Sequence, residues 1–424
     1  LFSVFMILAI DRLIEKGKYG MINMHSWMFL TSFEKLRKSI IDNYWIESLL
    51  HLGPRTFDEL GGEVVQNAAF VISNNLPYNR SIYYRLVDGK KCNDKERMFL
   101  KARYEHTDKL YFQNVWQANF STIPGNPLGY WVNANFVSLF ENPSISDYAE
   151  TRLGMATADN NQFLRLYWEV NKNNIFLDCN SGKESEKSPH KWYPYAKGGE
   201  YRKWFGNNEY LVNWLHNGVD IRNFADEKGK IRSHNYNLDY IFKRGITWNA
   251  LSSGNTSFRY MQYALFDNAG SSLFCETDYY NLMGFLNSKL LPTIVQIINP
   301  TFNYQPGTIA SLPYLIINVT GIVKKCIYIS KQDWDAHETS WDFEENELIR
   351  MQGHCEEAGK NPHLMEDCYH CYQEEWTEKF NQLHENEEGL NRQFIEIYGL
   401  EDELTPDVPL DEITILQQGE ITIE

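Results

Sequence analysis

The sequence predicts an α/β chain in three parts: the edge of a doubly wound sheet, then a mixed, loop-rich α+β body, then an acidic helical tail. Three observations predict it. Residues 1–75 alternate between helix-period and strand-like apolar runs. From about 111 to 320, Gly, Asn, Trp and Tyr are frequent, and short apolar runs sit between turn signals such as Pro124-Gly125-Asn126-Pro127. Residues 331–424 hold 26 acidic and 5 basic side chains, with apolar residues at helical spacing.

The elements follow in order. Leu1 to Ile10 is an apolar run followed at once by Asp11 and Arg12. Ten residues are too few to cross a bilayer and no basic stretch precedes them, so residues 1–16 read as a helix with a core face. Tyr19 to Asn23 reads as a short buried strand. Thr31, three residues before Glu34, suits a capping box opening a helix along Phe33, Leu36, Ile40 and Ile41. Trp45–Leu52 and Val64–Ser73 read as strands, the last pair forming a hairpin at a sheet edge. Leu282 to Ile298 reads as one helix. Trp376, Phe380, Leu383, Leu390, Phe394 and Ile397 form an amphipathic seam interrupted at Glu387.

The charge is unevenly placed. The net charge of −16 comes from the tail, because residues 1–330 hold 30 acidic and 35 basic side chains. A mildly basic body suits phosphate contacts, whereas the total alone would argue against them. Seven cysteines without a regular framework suit reduced thiols in a cytoplasm. His354, Cys355, His363, Cys368, His370 and Cys371 cluster in the tail. Zinc is one reading of that spacing; reduced cysteines on an acidic helix, with no metal, is the one adopted.

Several long blocks, in one order, carry a resemblance. They are Gly17-Lys18-Tyr19-Gly20-Met21-Ile22 through Ser26-Trp27 to Glu34-Lys35-Leu36-Arg37; Gly154-Met155-Ala156-Thr157-Ala158-Asp159-Asn160-Asn161-Gln162-Phe163-Leu164-Arg165; Lys197-Gly198-Gly199-Glu200-Tyr201-Arg202-Lys203-Trp204; Asn299-Pro300-Thr301-Phe302-Asn303-Tyr304-Gln305; and Asn386-Glu387-Glu388-Gly389-Leu390-Asn391-Arg392. Together they resemble the adenine-specific DNA methyltransferases of BREX phage-defence systems, the PglX family, over nearly the whole chain. One departure is Ala158, where the family usually has Gly.

The resemblance implies a division: 1–90 as the C-terminal part of the catalytic domain, the trailing half of a Rossmann-like class I methyltransferase sheet; 91–110 as a connector; 111–320 as a target-recognition domain; and 321–424 as an acidic helical region. It implies S-adenosyl-L-methionine as cofactor of the intact protein, double-stranded DNA as partner alongside other phage-defence proteins, and a cofactor loop and catalytic Asn-Pro-Pro-Tyr tetrapeptide upstream of Leu1. Asn75-Leu76-Pro77-Tyr78 mimics that tetrapeptide, but its first Pro is Leu and no glycine-rich loop precedes it, so it reads as a turn.

Phe57 matches by position an aromatic that stacks on the flipped adenine. Thr157, Asn160, Asn161 and Arg165 are candidate phosphate donors. So are Lys197, Arg202 and Lys203, in a segment whose glycines would admit a phosphate to the backbone. Arg259, Ser271, Ser272 and Asn303 are weaker candidates. The expected function is target recognition within a site-specific N6-adenine DNA methyltransferase. The alternative is a non-enzymatic recognition module, like a restriction specificity subunit. By itself the chain is expected to be inactive.

Overall fold

The computed structural model describes residues 2–57, 65–75, 80–250, 256–299, 304–357 and 359–415. It is a mixed α/β structure with three sheets among the described residues, divided into two compact units. Unit 1 comprises residues 1–142 and 294–301; unit 2 comprises 143–293 and 302–424. Among the described residues no helix is long and apolar enough to cross a membrane.

Unit 1 contains helices α1 (Phe2–Asp11), α2 (Glu34–Asn43), α3 (Cys92–Glu105) and α4 (Ala134–Ser138), and strands β1 (Lys18–Met24), β2 (Trp45–Gly53), β3 (Asn67–Ser73), β4 (Ser81–Arg85) and β5 (Tyr111–Val115). The sheet order is β1-β3-β2-β4-β5. β3 runs antiparallel to both β1 and β2, which are therefore parallel to each other. β4 is parallel to β2, and β5 antiparallel to β4. Residues 91–110, expected as a connector, form α3 and a turn between two strands of this sheet. β1 is an edge strand rather than a buried one, alternating between exposed Ile22 and Met24 and inward Tyr19, Met21 and Asn23. The core packs Met6, Ile10, Trp27, Ile40, Ile41, Leu49, Phe70 and Ile72 against Tyr83 and Tyr130.

The capping box does not form. Thr31–Phe33 is a 3-10 turn running straight into α2, so Thr31 lies a turn before the N-cap, and Phe33 in that place makes no side-chain cap. The start of α2 is held by Arg37 instead. Its fully buried guanidinium donates to the carbonyls of Trp27 (2.9 Å), Leu30 (2.7 Å) and Gly125 (2.6 Å). Burial lowers its pKa to about 10, so it stays charged at neutral pH.

Unit 2 opens with β6 (Glu150–Arg152), α5 (Asn160–Phe163), β7 (Leu164–Leu166), α6 (Gly182–Lys187), β8 (Trp192–Ala196), β9 (Tyr210–Asn213) and α7 (Leu215–Arg222). It continues with β10 (Gly245–Trp248), β11 (Phe258–Met261), β12 (Leu265–Phe266), β13 (Ser272–Phe274) and α8 (Tyr279–Asn287). α9 (Leu290–Ile298), whose residues from Ile294 on are assigned to unit 1, is followed in unit 2 by α10 (Pro306–Ala310), α11 (Thr320–Asp335), α12 (Glu347–Glu357) and α13 (Met365–Ile397). Its two four-stranded sheets run β11-β10-β13-β6 and β12-β8-β9-β7.

The helix expected over 282–298 is broken between α8 and α9. Pro292 explains the break: in a continuous helix its ring would clash with the carbonyl of Ser288, so a new helix starts just before it. The seam of α13 forms as expected, with Trp376, Phe380, Leu383, Leu390 and Phe394 buried. Ile397, the sixth seam residue, is exposed.

One internal device of unit 1 is sensitive to acid. His25, just past β1, and His51, within β2, hydrogen-bond through Nδ1 and Nε2 at 2.8 Å. His51 Nδ1 meets the Tyr130 hydroxyl at 3.1 Å. Burial lowers the His25 pKa from its usual 6.5 to about 4. Burial, then His25, Arg85 and Lys95, lowers that of His51 well below its usual value. Because the unfolded chain binds these protons more readily, the stability the pair contributes is complete above pH 6.5 and lost as pH falls toward 4. The urea midpoint of unit 1 is expected to drop between about pH 7 and 5, and His25→Gln with His51→Gln to flatten that slope. An unchanged slope in the double variant would contradict a neutral buried pair.

Candidate nucleic-acid interface

The candidate residues of unit 2 separate into an exposed face and an interior. On the face, Asp159 caps α5 by accepting from the Gln162 N–H at 3.0 Å. Asn160, Asn161 and Gln162 stand exposed on it. Ala158 directs the turn into α5 with φ +65°, a left-handed conformation that glycine adopts freely and alanine does not. The second wall of this face is residues 224–236, pinned by a pair of backbone hydrogen bonds between Ala156 and His234 (2.8 and 2.9 Å).

Two of the nominated residues here have their donors engaged within the protein. Thr157 is 3 % exposed and its hydroxyl donates to Asn160 Oδ1 at 2.6 Å. Arg165 is half-buried; one guanidinium nitrogen donates to the carbonyls of Asn161 and Leu164, both at 2.6 Å, and the group lies 5.7 Å from the Trp192 ring centre. Lys197 is partly exposed over the Tyr210 ring, at 5.5 Å.

Arg202 and Lys203 depart from expectation. Both are buried. Arg202 pairs with Asp333 of α11 at 2.5 Å and also donates to the carbonyls of Phe205, Ser330 and Thr414. Lys203 pairs with Glu387 of α13 at 2.6 Å, and Trp204 Nε1 donates to the other oxygen of that carboxylate at 2.7 Å. Burial works against the Lys203 charge, but Glu387, Tyr201 and Glu412 together outweigh it and raise the pKa. These cations therefore brace the acidic helices and do not face a phosphate. The two glycines serve the same end: a Cβ on Gly198 would lie 2.8 Å from Asn249 Oδ1, and one on Gly199 2.5 Å from Asn207 Nδ2. The weaker candidates are also interior. Arg259 is fully buried, donating to Asn249 Oδ1, Ser257 Oγ and the Arg202 carbonyl, and Ser271 and Ser272 are fully buried. Asn303 lies outside the described residues.

In unit 1, β2 ends at Gly53, which has a φ of +68°, and Phe57 follows, 42 % exposed. Of the tetrapeptide mimic only Asn75 is described; Leu76, Pro77 and Tyr78 lie outside. In the tail, Cys355, Cys368 and Cys371 are buried between α12 and α13, and the Cys355 thiol hydrogen-bonds Cys371 at 2.9 Å. His354, His363 and His370 are exposed. Among the described residues no group of three or more His, Cys, Asp or Glu side chains is arranged to hold a metal ion.

Sequence reasoning missed the exposed cations Lys228, Lys230 and Arg232 and the ring pair His234–Tyr236, stacked at 5.5 Å and 4° from parallel. The short repeat Lys228-Gly229-Lys230-Ile231-Arg232 was the available signal.

No family model matches the chain. Curated relatives do. The adenine-specific methyltransferase PglX of Lacticaseibacillus casei (strain Zhang) is 38% identical over 96% of this chain and 34% of its own length. The adenine-specific methyltransferase BrxX of Escherichia coli O9:H4 (strain HS) is 37% identical over 83% of this chain and 28% of its own. The chain is a homologue of these methyltransferases. It spans about a third of their length. Among solved structures, the type IIL restriction–modification enzyme MmeI in complex with DNA gives a TM-score of 0.47 at 12% identity, covering 92% of this chain and 48% of that one. A nuclease-deletion mutant of the type ISP enzyme LlaGI gives 0.43 at 13% identity, covering 79% and 31%.

Two outcomes test the interior assignment. Lys203→Ala or Glu387→Ala alone leaves a buried charge unpaired and is expected to cost about 3–5 kcal/mol in urea unfolding, whereas Lys203→Met with Glu387→Leu is expected to cost far less. A loss below about 1 kcal/mol for either single variant, the range of an exposed pair, would contradict it. Ala158→Gly is expected to stabilise by about 1 kcal/mol through relief of the left-handed backbone; a destabilisation would contradict that φ.

Proposed function

We propose that the chain is the trailing part of a site-specific N6-adenine DNA methyltransferase, in which unit 1 completes the catalytic sheet and unit 2 reads the duplex. The observation that carries this is the identity to adenine-specific methyltransferases along 96% of the chain. The geometry of unit 1 supports it. Among the described residues β1 is an edge strand with exposed Ile22 and Met24, and Val4, Phe5, Ile7 and Leu8 of α1 are 43–60 % exposed. An open strand edge beside an apolar helix face suits further strands and helices of one sheet.

Adenine N6 is a weak nucleophile because its lone pair is delocalised into the ring. Extruding the base from the stack and holding its amino hydrogens on oxygen acceptors directs that lone pair for attack. S-adenosylmethionine supplies the methyl group as an electrophilic sulfonium when bound. This chain contributes little to that step. Phe57, exposed beyond Gly53, would stack on one face of the extruded base. In unit 2, Asn160, Asn161 and Lys197 face outward to contact the duplex. In the intact protein the mark would distinguish self DNA in phage defence.

The chain incubated with labelled S-adenosylmethionine and duplex DNA is expected to bind the DNA, increasingly weakly as salt rises, and to leave adenine N6 unlabelled. Labelling by the chain alone would contradict the division of labour. Failure to bind DNA would contradict the recognition role.

A further inference from the structure

One feature of unit 2 lies outside every block that carried the resemblance: the hairpin 224–232. It is short and closely tied. Ala225 bridges Ile231, Arg232 N–H donates to the Phe224 carbonyl (2.8 Å), and Asp226 N–H donates to that of Lys230 (2.9 Å). The Asp226 carboxylate caps the turn from inside, accepting from the N–H groups of both Lys228 and Lys230 at 3.0 Å. Gly229 at the tip has φ +76°, and a Cβ there would meet nothing within 4 Å, so the tip stands in solvent. The base of the hairpin is anchored. Phe224 packs edge-on against the buried Phe163 ring of α5 at 5.2 Å, and the residues just beyond Arg232 are tied to Ala156 through His234.

The side chains leaving this turn are mostly cationic. Lys228, Lys230 and Arg232 are exposed, Ile231 between two of them is 45 % exposed, and Glu227 is the one outward acid. Arg232 reaches Asp226 only at 3.8 Å, with its side chain 59 % exposed. An internal carboxylate cap thus holds the backbone of a turn on which three cations and one apolar side chain are exposed. His234 and Tyr236 follow in the same segment as an exposed stacked pair.

We propose that the hairpin enters a groove of duplex DNA, with Lys228, Lys230 and Arg232 on phosphates and Ile231 against the groove floor. This rests on the reading of unit 2 as the DNA-reading body. The arrangement joins two general devices of duplex binding: cations spaced to neutralise backbone phosphates, and an apolar side chain offered to sugar or base edges. The His234–Tyr236 pair flanks the groove. Asn160 and Asn161, across the Ala156–His234 bridge, then lie beside the track of the hairpin.

The test is the affinity of the full chain for a duplex as salt rises from about 50 to 200 mM. Lys228→Ala, Lys230→Ala and Arg232→Ala together are expected to weaken binding and to reduce the slope of log affinity against log salt by about 3, near 0.9 for each phosphate no longer neutralised. Ile231→Ser is expected to weaken binding with the slope kept. All four side chains are exposed, and an unchanged melting temperature confirms that folding is intact. Wild-type binding with the triple variant equal in affinity and slope overturns the hairpin and leaves the recognition role standing. No binding by the wild type overturns both.

Discussion

Two buried ion pairs, Arg202 with Asp333 and Lys203 with Glu387, determine how unit 2 is built. Burying four charges is costly unless each finds its partner in good geometry, and here each does. Glu387 also accepts from Trp204 Nε1, and Arg202 satisfies three backbone carbonyls besides its carboxylate. The consequence is directional. α11 and α13 must lie where their single buried acids meet the loop after β8, so the acidic helices are part of the body's frame. The tail's remaining carboxylates are largely on exposed faces or in local pairs, such as Glu375 with Arg350 and Lys379.

This arrangement changes how the charge of the chain is understood. The body's cations fall into two populations. One, including Arg202, Lys203 and Arg259, is interior and serves the fold. The other, including Lys228, Lys230 and Arg232, is exposed and joined to a rigid backbone. Only the second can meet a polyanion, because an interior charge already neutralised gains nothing from phosphate and would have to be exposed first. Composition cannot separate the two; burial does.

What the sequence made legible follows the same line. The long-period features were readable: the α13 seam, the strands β1 to β3, and even the interruption at Glu387, whose buried acid is the partner of Lys203. The family blocks were readable as blocks, and their homology holds along the chain. Individual roles inside them were not. Lys197-Gly198-Gly199 through Trp204 has the residue types of a phosphate loop, yet its glycines admit Asn249 and Asn207 and its cations meet carboxylates more than a hundred residues away in sequence. Such distant partners leave no local pattern. The break at Pro292 and the 3-10 turn at Thr31 were local and could have been read from proline geometry and turn chemistry. The hairpin 224–232 was overlooked because a five-residue basic repeat is common on any surface; its internal Asp226 cap is what makes it rigid.

The central claim is that unit 2 reads a defined duplex sequence. Selection of the full chain against a pool of random duplexes, followed by sequencing of the bound fraction, tests this most directly. The account predicts enrichment of one short motif over the pool. Binding that enriches no motif would reduce unit 2 to a sequence-blind clamp and contradict the account.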